Sequence, residues 1–275
     1  MQRRKYITSI FEALAGASSI ATLLSFMFKI EFKFCCGVIM LVLIGLVCYV
    51  YAEYQNWTIR KLVLKINDCT RLTIEEGDLF EDGDIVLIPV NEYFDVHVGD
   101  KIVDPTSIHG VFINKVWKGD AKDLYDNYIA AALANKQDCY VTTVIRQPWF
   151  CNKKKYKLGT CIDIERNGKT YVLFALTHFD DKNHAYVSRS EYHDVLIKVM
   201  KHVNSICESK TVHIPLLGTG LSRLQSKPLQ VLHYMLDCLK FECSNLDFIG
   251  GLHIKILSLD KTEINLRYID DIFKK

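Results

Sequence analysis

From Phe34 to Ala52 the chain reads FCCGVIMLVLIGLVCYVYA, without a single Asp, Glu, Lys or Arg. As an α-helix rising 1.5 Å per residue it spans about 28 Å, close to the roughly 30 Å hydrocarbon thickness of a bilayer. A core helix of that length would carry a polar face, and this one has none. The run therefore predicts a transmembrane helix. Upstream, Ile7 to Phe28 is a second candidate, with Glu12 near its start and an uncharged stretch from Ala13 to Phe28. Two readings fit it. Arg3, Arg4 and Lys5 resemble the basic opening of a cleavable signal peptide. Alternatively, the short link Lys29-Ile30-Glu31-Phe32-Lys33 closes a tight helical hairpin. Cleavage would leave the chain anchored by Phe34–Ala52 anyway, and the hairpin is the favoured reading.

The expected organisation is a transmembrane hairpin over residues 1–55, with spans at about 8–28 and 34–52, a linker over 56–69 and a globular domain over 70–275. Arg3, Arg4 and Lys5 precede the hairpin, while Arg60, Lys61 and Lys65 follow it. The positive-inside rule then places both termini in the cytoplasm, with the thiols kept reduced. Ala13, Ala17 and Ala21 recur every four residues beside Gly16, Ser18 and Ser19. Small residues on one face let membrane helices approach closely, although ordinary Ala-rich composition reads the same way.

The charge balance, 34 Lys+Arg against 32 Asp+Glu, leaves no electrostatic footprint for nucleic acid. At 49% hydrophobic residues the chain is too apolar for disorder. Its 10 Cys are scattered, form no CxxC and have no zinc-module spacing, so no metal site is expected.

Beyond residue 70 strands and helices alternate. Asp84–Val90, Val141–Arg146, Tyr171–Thr177, Thr211–Leu217 and Leu252–Leu259 read as short buried strands. Asp120–Asn135, Arg189–Cys207 and Pro228–Phe241 read as helices. Ser188 or Ser190 with Glu191 caps the second of these. Asn167-Gly168 marks a hairpin between Leu158–Glu165 and Lys169–Thr177. This alternation predicts a three-layer α/β/α domain, whose ligands bind outside the carboxyl ends of the strands.

Two loops there carry chemistry. In Ile214-Pro215-Leu216-Leu217-Gly218-Thr219-Gly220-Leu221 a buried strand runs directly into a Gly-x-Gly turn, where backbone N–H groups can crowd an anion. A two-glycine turn is also commonly structural, and this is neither a Walker A motif nor a dinucleotide fingerprint. In the other, Asp78 follows Gly77 ahead of a strand ending in Asn91; as a turn acid and a strand-end amide both also suit local hydrogen bonding.

Together, the Gly77-Asp78-Leu79 turn, the buried strand ending in Asn91 and the late Pro-Leu-Leu-Gly-Thr-Gly loop resemble the macro domain over roughly residues 70–260. More narrowly, VNEYFD at Val90–Asp95, SIHG at Ser107–Gly110, ALTHFD at Ala175–Asp180 and IPLLGTG at Ile214–Gly220 resemble one bacterial subgroup. In that subgroup two transmembrane helices precede a macro domain, as in the membrane effector of type II Thoeris anti-phage defence. The resemblance implies an ADP-ribose-derived ligand and no cofactor. Asp78 matches the acceptor of the adenine amino group, with the Leu79 backbone beside it, and Asn91 matches the amide near the distal ribose. Gly218, Thr219, Gly220 and Leu221 match the diphosphate loop, and Ser107, His109 and Gly110 the first phosphate loop. Val90 and Leu217 belong to the same expected pocket. Implied partners are a TIR-domain enzyme that makes the signal from NAD⁺, expected as histidine–ADP-ribose, and further copies of this chain.

The sequence also departs from the hydrolytic macro domains. Asn91 is followed by Glu92-Tyr93-Phe94-Asp95 rather than a second Asn, and the next loop lacks a glycine triplet. A sensor without catalytic residues is therefore expected. The alternatives are a tethered ADP-ribosyl hydrolase using Asn91 and Asp95, and a passive ADP-ribose-reading anchor. His178, Asp180, Asp181 and His184 fit no metal spacing and are expected as a solvated loop.

Overall fold

The computed structural model describes residues 16, 19, 43–51, 59–99, 102–146, 152–218, 226–259 and 264–273. It divides into two units, Met1–Ile59 and Arg60–Lys275. In the first unit residues 43–51 are helical, and Leu43, Leu46, Val47, Tyr49, Val50 and Tyr51 are all exposed. Most of both expected spans lies outside the described residues, and among those no helix is long and apolar enough to cross a membrane.

The second unit is built on an eight-stranded mixed sheet. Its main path runs β1 (Lys61–Lys65), β2 (Arg71–Glu76), β10 (Leu252–Ile256), β9 (Val212–Pro215), β3 (Ile85–Asn91), β7 (Lys169–Phe179) and β6 (Cys161–Arg166), and β8 (Ala185–Tyr186) pairs with the end of β7. The five strands from β2 to β7 are parallel, while β1 and β6 lie antiparallel at the edges. A separate antiparallel pair, β4 (Tyr140–Thr143) and β5 (Lys154–Tyr156), stands off this sheet.

Strand β3 shows how the layers form. Val86, Ile88 and Val90 join one core with Phe112, Ile113 and Val116 of α1 (Ile108–Val116). Leu124, Ile129 and Leu133 of α2 join the same core; that helix runs through Ala121–Asp123, the π-helical turn Leu124–Ile129 and Ala130–Ala134. Leu87, one residue out of step, turns the other way. It meets Leu196, Val199 and Met200 of α3 (Arg189–Cys207) and Met235 of α4 (Pro228–Asp237, continued by a π turn at Cys238–Glu242). A strand buried on both faces has no polar alternation, which is why IVLIPVN is continuous. The last helix, α5, spans Leu266–Phe273.

The expected three-layer α/β domain is present, with two differences. Lys61–Lys65, inside the stretch read as a linker, is the edge strand β1, with Leu62 and Leu64 buried and Lys61, Val63 and Lys65 exposed. In sequence KLVLK offers only three apolar residues in a row, with Val63 masking the in-out alternation, so the run is too short to stand out. Val141–Arg146 is not a buried strand: only Tyr140–Thr143 pairs, every residue of it is exposed, and its partner is β5. The apolar run there lacks a second covering layer.

Asn167 and Gly168 have φ of 54° and 74° and join β6 to β7 as a two-residue hairpin turn. Ser188 is the N-cap of α3; its Oγ accepts from the Glu191 N–H, while the Glu191 carboxylate accepts from the Ser188 N–H at 3.0 Å, a complete capping box.

Candidate functional site

Because β2, β10, β9, β3 and β7 are parallel, their carboxyl ends share one edge of the sheet. Asp78 and Leu217-Gly218 follow β2 and β9, and Asn91 ends β3, so the fold brings three of the expected elements to that edge. β3 and β9 are neighbours, yet the next strands that the chain adds to this sheet, β6 and β7, lie on the other side of β3. That reversal of strand order opens a crevice in sheets of this kind. Pairing between β3 and β9 covers only Ile85–Val212 and Val86–His213, so the two strands part well before Asn91 and Gly218.

Val90 and Asn91 are buried at the end of β3, where the register with β7 shifts. Such a bulge re-aims the side chains beyond it. The Asn91 Oδ1 accepts from the Tyr93 N–H at 2.9 Å, and Phe94 closes the turn at a φ of 52°. Phe94 is fully buried edge-on to Tyr156, so it is core and not a stacking surface for a base. Asn152 fastens this turn through its Nδ2, which donates to the Tyr93 and Phe94 carbonyls at 3.1 and 2.8 Å.

Asp95, the acid of the hydrolase reading, is 1% exposed. Its carboxylate accepts from Arg146 at 2.9 Å and from the Asn152 N–H at 2.8 Å. Burial pushes this carboxyl up, and Arg146 and Asn152 pull it only part of the way back. Arg146 also lies 3.7 Å over the Tyr93 ring and donates to Asn183. The carboxylate is thus committed to protein donors.

Ser107, the N-cap of α1, accepts from the Gly110 N–H at 3.0 Å and donates to the Asp104 carbonyl at 2.6 Å. Gly110 allows the chain at Asp104-Pro105 to cross the helix: a Cβ there would come within 2.8 Å of the Pro105 Cα. His109 is buried, its Nε2 has no partner among the described residues, and burial pushes its imidazole down to about 3. The imidazole is therefore neutral, with one ring nitrogen left unpaired near the N-terminus of α1.

Asp78 is part-exposed on the loop that crosses from β2 to β3. One carboxylate oxygen accepts from the Phe80 N–H at 2.9 Å, and the other pairs with Lys115 at the end of α1. Partial burial raises this carboxyl, but Lys115, the Phe80 N–H and Lys169 outweigh it and hold it below the ordinary value. An ionised, reachable carboxylate can accept from an exocyclic amine. Leu79 beside it is buried.

Leu217 is buried, and its carbonyl accepts from the Tyr192 hydroxyl at 3.0 Å, tying the loop after β9 to α3. Gly218 has a φ of 86°, which an L side chain rarely adopts. Thr219, Gly220 and Leu221 lie outside the described residues.

Sequence reasoning missed the cluster next to Asn91. Glu92 is fully buried and holds His178 and Lys155, and His178 in turn reaches Glu191. The motifs VNEYFD and ALTHFD carried Glu92 and His178, but nothing in the sequence said that they meet. His184 pairs with Asp180 instead, at 3.1 Å, so of the expected polar loop His178 is drawn to Glu92 and Glu191 while Asp180 and His184 pair locally. Among the described residues no group of His, Cys, Asp or Glu could hold a metal ion.

Comparison with known proteins agrees with this architecture. The chain is 26% identical over 261 residues to the Thoeris protein ThsA of Bacillus amyloliquefaciens (strain Y2), covering 92% of this chain and 83% of that one. A solved structure of a macrodomain variant from Oceanobacillus iheyensis superposes with a TM-score of 0.50 at 10% identity, over 78% of this chain and 99% of that one. The same macrodomain solved with ADP gives 0.49 at 10% identity, over 78% and 97%. Residues 72–256 match the family described as Thoeris protein ThsA, Macro domain, and the chain belongs to that family.

Proposed function

We propose that this chain is a membrane-anchored anti-phage effector. Its macro domain binds an ADP-ribose-derived signal made from NAD⁺ by a TIR-domain enzyme, with histidine–ADP-ribose the expected form. Binding promotes self-association, and the N-terminal hairpins then disrupt the inner membrane, with both termini on the cytoplasmic side.

The observation that carries the reading is the meeting of Asn91, the Leu217-Gly218 turn and the parted ends of β3 and β9 on one sheet edge. A diphosphate needs converging N–H donors, and an adenine needs an acceptor such as Asp78 beside an apolar residue such as Leu79. The exposed apolar side chains of residues 43–51 support a lipid environment for the first unit. Energetically the ligand must favour the assembled state over the resting one, because tight binding to both shifts nothing.

The commitment of Asp95 to Arg146 and Asn152 favours a sensor over the hydrolase reading. Calorimetry on the purified full chain in detergent, titrated with ADP-ribose and its amino-acid conjugates, tests the proposal. Saturable binding without ligand turnover, accompanied by a ligand-dependent rise in particle mass, is expected. Turnover would favour the hydrolase. Binding without any change in mass would favour a passive anchor.

A further inference from the structure

Glu92, the residue after Asn91, places a carboxylate in the interior. That carboxylate accepts from Nδ1 of His178, from Lys155 Nζ at 3.0 Å and from the Phe179 N–H at 3.2 Å. The other imidazole nitrogen, His178 Nε2, lies 2.9 Å from Glu191 Oε1. An imidazole with a carboxylate on each nitrogen satisfies both only when both nitrogens carry protons. His178 is therefore an imidazolium bridging two acids.

The bridge joins three elements at the site's edge: the end of β3, the end of β7 beyond the bulge, and the first turn of α3. The groups facing it are Glu92 after β3, Glu191 on α3 and the Tyr186 ring on β8, with ring centroids 5.4 Å apart. Lys155 of β5 completes the shell of Glu92. The same Glu191 closes the capping box, so the N-terminus of α3 is linked through His178 to the carboxylate of Glu92.

We propose that His178 is the positioning residue of the ribose end of the site: as an imidazolium it clamps Glu92 to α3 and so fixes the peptide that presents Asn91. The ligand named for that end rests on the ADP-ribose reading; the clamp itself does not. Its pH behaviour follows from the geometry. The Glu92 hydrogen bond raises the imidazole above its ordinary value, burial opposes this, and Glu191 adds to the rise. A raised value means the clamp is fully present below the unfolded value of 6.5 and is lost as pH climbs through the higher folded one.

The test uses the full chain in detergent, labelled with ¹⁵N at histidine and asparagine. The His178 ring should titrate above an ordinary histidine, and the Asn91 side-chain amide should shift with the same midpoint. Affinity for ADP-ribose should fall about tenfold across that range, a loss of the size expected when a charged hydrogen-bond network is broken. His178→Gln should remove the pH dependence and weaken binding about tenfold at pH 7 by the same reasoning. Glu191→Gln should move the midpoint down, and it serves if His178→Gln does not fold. An Asn91 amide that ignores the His178 titration, an unmoved midpoint in Glu191→Gln, or wild-type behaviour of His178→Gln would overturn the proposal. Wild-type protein that binds neither ADP-ribose nor its amino-acid conjugates at any pH would sink the ligand reading, while the joint titration of His178 and Asn91 still judges the clamp.

Discussion

Arg146 shows how much of this site depends on single side chains. It lies on the Tyr93 ring, neutralises the buried Asp95 and donates to the Asn152 carbonyl, so it holds the turn that follows Asn91. Arg146→Ala strands a buried carboxylate and should cost about 3 kcal/mol of stability in urea unfolding, at the low end for breaking a buried pair. Adding Asp95→Asn should recover much of that loss; no recovery would mean that stranded charge is not the cause. Asp78→Ala should weaken ADP-ribose binding by about 1–3 kcal/mol, the range for losing a charged partner, with little effect on folding. Calorimetry beside circular dichroism separates the two effects, and unchanged affinity would move the ligand elsewhere. Gly110→Val drives a branched side chain into the Asp104-Pro105 backbone and should destabilise by about 1–3 kcal/mol or more, as overpacking does, read in thermal unfolding.

At the scale of elements, α3 is the part whose chemistry was most open in the sequence. Ser188 and Glu191 stand at capping-box spacing, and the structure forms both of its hydrogen bonds. Hydrogen bonds from Ser188 and His178 hold the Glu191 carboxyl down at about 2. A depressed acid contributes stability above its unfolded value of 4.5 that is lost as pH falls through about 2. The stability gap between wild type and Glu191→Gln should therefore be full at pH 6 and shrink steadily below pH 4.5; a gap constant down to pH 2.5 would contradict this assignment. Continuous apolar runs revealed β3 and β7, and the Asn167-Gly168 pair revealed the hairpin, because these signals are local. The Glu92–His178–Glu191 bridge was not legible: its members lie 86 and 13 residues apart, and only the sheet order brings them together. Nor was the exposure of β4, since a short apolar run says nothing about whether a layer covers it. The π turn in α2 likewise has no local marker in LYDNYI.

At the scale of the whole molecule, the proposed function gives recognition and membrane disruption to different parts of the chain. Two spans flanked by Arg3-Arg4-Lys5 and Arg60-Lys61 predict cytoplasmic termini, and a reporter fused after Lys275 should score as cytoplasmic. A periplasmic score would reverse the topology and remove the macro domain from the compartment that holds the signal. The central claim is that the ligand gates the membrane activity. Its most direct test is dye release from vesicles reconstituted with the full chain, measured with and without an ADP-ribose conjugate shown by calorimetry to bind. The account predicts release only when the conjugate is present, and much reduced release from Asp78→Ala at the same concentration. Release that ignores the ligand, or intact vesicles with the site saturated, would contradict it.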